Sequence, residues 1–552
     1  MARADRKAAA AESAVTGVMT HRQIMFVLFG LMAGMFLSAL DQSVVGTAMR
    51  TIADDLSGLS AQAWVTTAYL ITSTIATPIY GKLGDIFGRR RLFIAAITIF
   101  IIGSVICGFA NSMYELAAFR AIQGVGAGGL FALALTIIAD IVPPRDRARY
   151  QGLFLAVFGT SSVLGPLIGG LLAGVDSFLG ITGWRWIFLM NLPIGAIALV
   201  LVLSFLHVPH IEAKSKRIDW WGVLTIIVGV VPLLIVAEQG REWGWTSPNA
   251  FIAYVLGVVG ITSFIIIQRR MGEDALLPLH IFKSKTFSLT TLLGVIVGMG
   301  MFGGMICLPL VLQIVYGASP TEAGYLMIPM VMGLMTSSIV SGQITSRTGK
   351  YKIFMVLGTA LMSISFLYLS TLVFDWAIWQ ISIGMVLMGL GLGQVMQTLT
   401  IASQNAVEAK DIGVATSSST FFRQMGGTLG VAIFLSILFN SLADKGTEMA
   451  NKIGAAIAAN PGILDKPGNE AFSSGQDLGA LVQSDSSFLI TASPELANPI
   501  KQAFAESTAG VFVSATVVVL AAFIVSLFIK ELALRTKSGV QEKAEQAAAG
   551  MQ

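Results

Sequence analysis

Charge is what this sequence has least of. Asp, Glu, Lys and Arg make up 12% of its 552 residues, against about 25% in soluble globular chains. Histidine occurs four times and cysteine twice. Cys107 and Cys307 both fall inside apolar runs, so no disulfide is expected and the pair says little about compartment. No phosphate-binding GxxxxGK run followed by Ser or Thr occurs, which argues against ATP hydrolysis, and no HExxH occurs. His207 and His210 flank Pro209 without further ligands, so no metal site is expected. The net charge of +4 is small and gives no footing for a nucleic-acid partner. A cleaved signal is not expected either. The first 22 residues are polar and basic, and the run from Met25 to Met49 is too long for a signal core and lacks an A-x-A end.

Apolar residues are what is present: 55% of the chain, with a mean hydropathy of +0.77. A helix needs about 20 of them to cross a bilayer. Such runs lie at 24–48, 61–81, 91–110, 114–139, 150–174, 184–206, 219–238 and 249–268. Six more follow at 287–316, 322–345, 353–373, 376–402, 412–440 and 507–530, giving fourteen. An even count puts both termini on one side. With that side cytoplasmic, 26 of the 35 Lys and Arg lie in cytoplasmic segments and seven lie outside, as the positive-inside rule requires. Arg120 and Arg423 fall within spans. The expected location is the cell membrane.

Two thirteen-residue segments follow the second and tenth runs: "GKLGDIFGRRRLF" from Gly81 and "GQITSRTGKYKIF" from Gly342. Aligned, Gly81 meets Gly342, Gly88 meets Gly349 and Phe93 meets Phe354. Self-similarity at a fixed offset implies duplication, here a parallel repeat of two six-helix halves. The expected division is a tail 1–22, a bundle 23–207, a linker 208–270 with two extra spans, a bundle 271–530 and a tail 531–552. Between spans 13 and 14 lies an acidic extracellular loop, 441–505. It reads as a small cap built on a helix or hairpin, a floppy linker being the alternative, and could meet an extracytoplasmic partner.

These motifs resemble the major facilitator superfamily, and specifically its fourteen-span drug:proton antiporters. "GKLGDIFGRRRLF" is similar to the signature after span 2. "LDQSVVGTAMRTIADDL" from Leu40, "RAIQGVGAGG" from Arg120 and "GPLIGG" from Gly165 resemble those of spans 1, 4 and 5. "WRWIFLMNLPIG" from Trp184 and "FFRQMGGTLGVAIF" from Phe421 also look typical. Gly46 and Arg50 depart from the usual Asn and Pro, and Ser346 stands where the first loop has Asp85. The resemblance implies an all-α membrane protein of two six-helix bundles plus two linker helices. It also implies proton-coupled export of lipophilic, often cationic, drugs, with no enzymatic step and no cofactor beyond the proton gradient.

Individual residues then take expected roles. Asp41 lies about 10 Å below the outer end of span 1, and Arg120 about 9 Å below that of span 4, counting 1.5 Å per residue. They can meet at one level, as a structural ion pair or as a proton switch. Gly81, Asp85, Gly88, Arg89 and Arg90 form a cytoplasmic latch, the plainer reading being that they fix orientation and turn the chain. Gly165, Pro166, Gly169 and Gly170 make a close-packing or hinge face. Trp64, Tyr69, Phe302, Met396 and Phe422 are candidate apolar walls for cargo. Arg423 either holds a substrate acceptor or braces span 13. Two other readings remain open: export of an endogenous amphiphile such as a lipid, and a non-transporting membrane scaffold.

Overall fold

A computed structural model describes residues 21–58, 61–206, 217–473, 488–539 and 541–542. The N-terminal tail, His207, His210 and part of the acidic loop lie outside the described residues. The chain is almost wholly helical, the form in which a segment without water satisfies its own backbone. The first half holds α1 (His21–Asp55), α2 (Gln62–Phe87), α3 (Arg89–Cys107), α4 (Met113–Ile141) and α5 (Pro144–Ala173). A small hairpin, β1 (Ser177–Phe178) and β2 (Ile181–Thr182), precedes α6 (Arg185–Leu189) and α7 (Asn191–Phe205). A separate helical hairpin follows, α8 (Trp220–Trp243) and α9 (Pro248–Met271). The second half holds α10 (Lys285–Ile314), α11 (Pro320–Leu326), α12 (Ile328–Thr348), α13 (Lys352–Leu369), α14 (Ile378–Asn405) and α15 (Ile412–Asp444). It ends with α16 (Gly446–Ala459), the short α17 (Glu470–Ser473) and α18 (Phe488–Thr491), and α19 (Pro494–Phe528).

Helix boundaries follow local chemistry. Ser112, Ser247, Ser284 and Ser319 each accept a backbone N–H at a helix start, and Ser319 with Glu322 completes a capping box. Gly88 and Gly349 end α2 and α12 with φ of +90° and +75°, a region that L side chains avoid. The duplicated glycine therefore ends the helix at a positive φ in both halves, with ψ of +134° at Gly88 and −3° in the left-handed helical region at Gly349. Two expected single spans are broken. Span 6 is α6 plus α7, and span 10 is α11 plus α12, where Pro329 opens the second piece.

Among the described residues, 13 helical stretches are long and apolar enough to cross a membrane. The expected span missing from that set is α2. Its Thr and Ser residues, with Lys82 and Asp85, dilute its apolar content. Its 26 residues reach about 39 Å, and it packs between α4 and α15. The protein is thus an all-α, multi-pass membrane protein with about fourteen crossings.

The helix contacts repeat from half to half. In the first half α2 packs on α4, α3 on α4, α1 on α5 and α1 on α7. In the second, α12 packs on α14, α13 on α14, α10 on α15 and α10 on α19. The halves meet along two seams, α2 against α15 and α5 against α12. Each seam maps onto the other when the halves are exchanged, as a twofold relation requires. The α8–α9 hairpin breaks this symmetry by packing α8 on α2 and α15 alone. Ile226, Val230 and Leu234 fill the gap beside Ile71, Ile75 and Phe421. Asp219 ties the base of the hairpin: it accepts from Gly222 N, Gln268 Nε2 (2.7 Å) and Leu276 N (3.1 Å).

Helices α15 and α19 have 33 and 35 residues, or about 50 Å each, longer than a hydrocarbon core of about 30 Å. Their far ends carry the acidic segment as a helical cap. Met449 and Ile453, one turn apart on α16, are buried with Ile463, Leu489 and Leu496 in the same core as the second half. Asn469, fully buried, staples the cap. Its Nδ2 donates to Ile463 O (2.5 Å) and Ser493 Oγ (2.9 Å), and its Oδ1 accepts from Ser493 N (2.8 Å). Asn469→Ala strips these bonds from a buried site, costing about 1–3 kcal/mol locally. The expected outcome is faster protease cleavage within 460–493, with the membrane bundle uncut.

Candidate functional site

A buried polar cluster lies inside the first half. Asp41 on α1 and Arg120 on α4 are each 1% exposed and form an ion pair. The carboxylate also accepts from Gln123 Nε2 (2.9 Å) and Asn191 Nδ2 (2.7 Å). Arg120 shares its Nη1 with Gln123 Oε1 at 2.9 Å. Its guanidinium carbon sits 4.0 Å from the centre of the Tyr69 ring, and Tyr69 Oη is 2.9 Å from Ser38 Oγ. Asn191 donates onward to Ser104 Oγ (2.9 Å), which donates to Phe188 O (2.8 Å). Helices α4 and α7 thus converge on an acid carried by α1. The depth count brings Asp41 and Arg120 to one level, and the structure joins them. Gln123, Asn191 and Ser104 were not foreseen. The signal was available: Gln123 is three residues from Arg120 on one helix face, and Asn191 is the polar break in "FLMNLPIG".

A second cluster closes one end of the molecule, the basic end. Arg89 donates to Asp85 Oδ1 (2.7 Å) and Thr136 O (2.7 Å), and pairs with Asp140 Oδ2 (2.5 Å). Asp85 faces the first turn of α15: a Cβ on Gly413 would lie 2.5 Å from its Oδ2. A carboxylate is favoured at a helix N-terminus. Gly81 is needed at the same seam, since a Cβ there would lie 2.0 Å from Ser417 Oγ. Gly88 makes the turn to α3. Arg90 does not join this cluster: its Nη2 donates to Leu203 O (2.8 Å) and braces α7 within its own half.

The other seam is closed with reversed polarity. Arg145, at the start of α5, donates to Ser346 O (2.9 Å) and Arg347 O (2.8 Å) at the end of α12. A cation thus meets helix C-terminal carbonyls, which explains why the second loop functions structurally without an acid at 346. Arg147 crosses to Gln404 of α14, and Gln397 Nε2 crosses to Ala148 O (2.7 Å). A strap after α19 adds to this closure. Arg535 bonds the carbonyls of Asn405 and Val407 in the second half. Gly539 lies against Asp140 of the first half, where a Cβ would sit 2.9 Å from Oδ1. Arg145, Arg147, Gln397, Gln404 and Arg535 were not foreseen.

The remaining expected residues are dispersed. Gly165 and Gly169 press on Ser43 and Val44 of α1, whereas Gly170 and Pro166 face Thr321 and Gly324 of the other half. Trp64 joins the apolar cluster around Trp184. Tyr69 is buried under Arg120. Phe302 packs against Gly427, and Met396 is buried in the second core. Phe422 meets Phe282 and Phe421 edge to face. Arg423 is half-buried on α15.

The family model for the Major Facilitator Superfamily matches residues 31–431, most of the chain. The chain belongs to this superfamily. Its members' architecture is also found in solved structures. The proton:xylose symporter XylE aligns with a TM-score of 0.58 at 13% identity, over 95% of this chain and 99% of its own. The human organic anion transporter MFSD10 aligns with a TM-score of 0.57 at 12% identity, over 90% of this chain and 99% of its own. These show the fold alone. Among sequence relatives, the multidrug transporter protein MdtP of Bacillus subtilis is 35% identical over 532 residues, covering 95% of this chain and 96% of MdtP. Multidrug resistance protein 3 of the same organism is 35% identical over 442 residues, covering 79% and 85%. This superfamily member is a transporter and not an enzyme.

The seam contacts generate a prediction. Gly81→Val places side-chain atoms where Ser417 sits and forces α2 from α15. Spin labels at the exposed positions 91 and 350, one on each half, should then show a longer-distance population than in the parent. An unchanged distance distribution would remove Gly81 from the closure.

Proposed function

We propose that this protein is a proton-coupled exporter of lipophilic, often cationic, compounds across the cell membrane, its basic end facing the cytoplasm. Two relatives over 30% identical bear names of multidrug transport, and 26 of the 35 Lys and Arg fall on the side assigned to the cytoplasm. On this orientation the structure is closed toward the cytoplasm. The energy comes from a gradient, worth about 2.3 kcal/mol per charge per 100 mV of membrane potential.

The observation that carries the coupling is the Asp41 cluster. A carboxylate without solvent needs donors, and Asp41 has them from Arg120, Gln123 and Asn191. Those donors come from α4 and α7, whereas the acid rides on α1. A shift of α1 against α4 withdraws Arg120 and leaves a buried acid that binds a proton in its place. Return of Arg120 expels the proton. The guanidinium stays charged throughout and finds the Tyr69 ring as its alternative partner. Rocking of the halves about the two seams, with the basic-end contacts breaking and reforming, would link this exchange to cargo movement.

Proteoliposomes test the reading. With an imposed pH gradient, the parent protein should move ethidium uphill and dissipate the gradient. Asp41→Asn should keep its folded yield, lose uphill movement and lose the pH dependence of the remaining flux. Normal uphill transport by that variant would remove Asp41 from the coupling. Movement of a labelled lipid without ethidium flux would favour export of an endogenous amphiphile, and no flux of either kind would favour a scaffold.

A further inference from the structure

Arg423 has no counter-charge. Among the described residues the other interior arginines have partners: Arg120 in Asp41, Arg89 in Asp85 and Asp140, Arg147 in three carbonyl oxygens. Arg423 has no hydrogen bond, ion pair or ring contact among them. The acids of its own bundle lie elsewhere. Helices α10, α12, α13 and α14 contain no Asp or Glu, and α15 carries one only at its last residue, Asp444. Glu506 of α19 is paired with Lys445 near that same end of α15, Glu495 is in the first turn of α19, and Glu322 of α11 is taken up in a capping box.

Two hydroxyls close by on the chain and its neighbouring helix are buried and unpartnered. Ser419, one turn below Arg423 on α15, is 9% exposed, and its hydroxyl oxygen is buried without a hydrogen-bond partner. Thr291 on α10 is 6% exposed and its hydroxyl is likewise unpartnered. The two helices run side by side in register. Phe287 shares a cluster with Ala415, and Gly294 lies beside Ser419 and Arg423, which sets Thr291 level with Ser419. A Cβ on Gly294 would be in ordinary contact with Leu399 Cδ2 at 3.4 Å, so α10 meets its neighbours closely at this level. The next residue, Gln424, reaches Thr77 of the first half at 3.4 Å. Position 423 on α15 therefore lies at the level where the two halves touch.

We propose that Arg423, with Ser419 and Thr291, forms a subsite for an anionic group, a carboxylate or phosphate, carried on an amphiphilic cargo. This rests on the export reading and extends its substrate class beyond cations to acids and zwitterions. An unpaired interior charge is costly to keep, and no residue in its bundle relieves it. A planar guanidinium offers two parallel donors to a carboxylate or phosphate. Two idle hydroxyls beside it supply further bonds. The anion is a passenger that completes the site only while bound.

Equilibrium binding to the purified full chain, without any gradient, tests the subsite. The probes are 1-pyrenebutyrate, an aromatic carboxylate, and ethidium, an aromatic cation. The parent should bind 1-pyrenebutyrate. Arg423→Gln should shift the affinity ratio toward ethidium by at least about tenfold, the scale of a lost charged hydrogen bond, and Arg423→Lys should restore much of it. Ser419→Ala should shift the ratio in the same direction by less. Failure of the parent to bind 1-pyrenebutyrate while it binds ethidium would overturn the subsite. So would an unchanged ratio in Arg423→Gln, or equal weakening toward both probes, which marks a bracing residue. Competition by vesicles of phosphatidylglycerol but not phosphatidylcholine assigns the anion to a lipid headgroup; its absence assigns it to a soluble amphiphile. Loss of coupled flux in the Asp41 experiment is a separate failure, because this measurement needs no proton gradient.

Discussion

A charge in the middle of a bilayer has no water to lean on, and this protein is arranged around that fact. The Asp41 carboxylate draws donors from α4 and α7 while sitting on α1. Half a bundle is thereby committed to one acid. Removing any donor leaves a buried polar group unmatched, which costs more than the bond itself contributes. The cluster is therefore most stable in few arrangements.

The basic end shows how a duplicated unit can diverge without losing its task. One seam sets an acid, Asp85, on the N-terminal turn of α15. The other sets a cation, Arg145, on the C-terminal carbonyls of α12. Both exploit the polarity of a helix terminus, with opposite signs. Substitution of the acid by Ser346 in the second loop did not abolish a contact, because the complementary charge lies on the neighbouring helix. Surface-exposed ion pairs contribute little, but Arg89 and Arg147 are shielded, with Arg89 5% exposed and Arg147 fully buried, so these contacts count.

Much of this was legible in the residues. The repeat of Gly88 and Gly349 announced a glycine-dependent helix end in each half, and both have positive φ. The register of Asp41 and Arg120 followed from counting residues inward from the ends of two spans. Other features carried no comparable signal. An amide such as Gln123 or Asn191 carries a weaker signal than a charge, legible only from its spacing to Arg120 or as a polar break in an apolar run. Gln404 and Arg147 come together across 257 residues of chain, and no local pattern encodes such a meeting. The wall candidates failed to converge because aromatic and Met side chains are also what any helix core uses: Met396 and Phe302 are simply packed. The polar α2 reads as a weaker span because Thr, Ser, Lys82 and Asp85 dilute its apolar content, yet its Thr side chains are satisfied by their own helix. Thr72 bonds Ala68 O and Thr77 bonds Ser73 O, and neither residue needs lipid or water.

The strap beyond α19 has a bearing on how the molecule is made. Arg535 and Gly539 emerge from the ribosome after every membrane helix described here, and they clasp partners from both halves. Until then, the nascent bundle relies on its seams alone to stay shut. Synthesis thus delivers last a segment that touches both halves at the basic end.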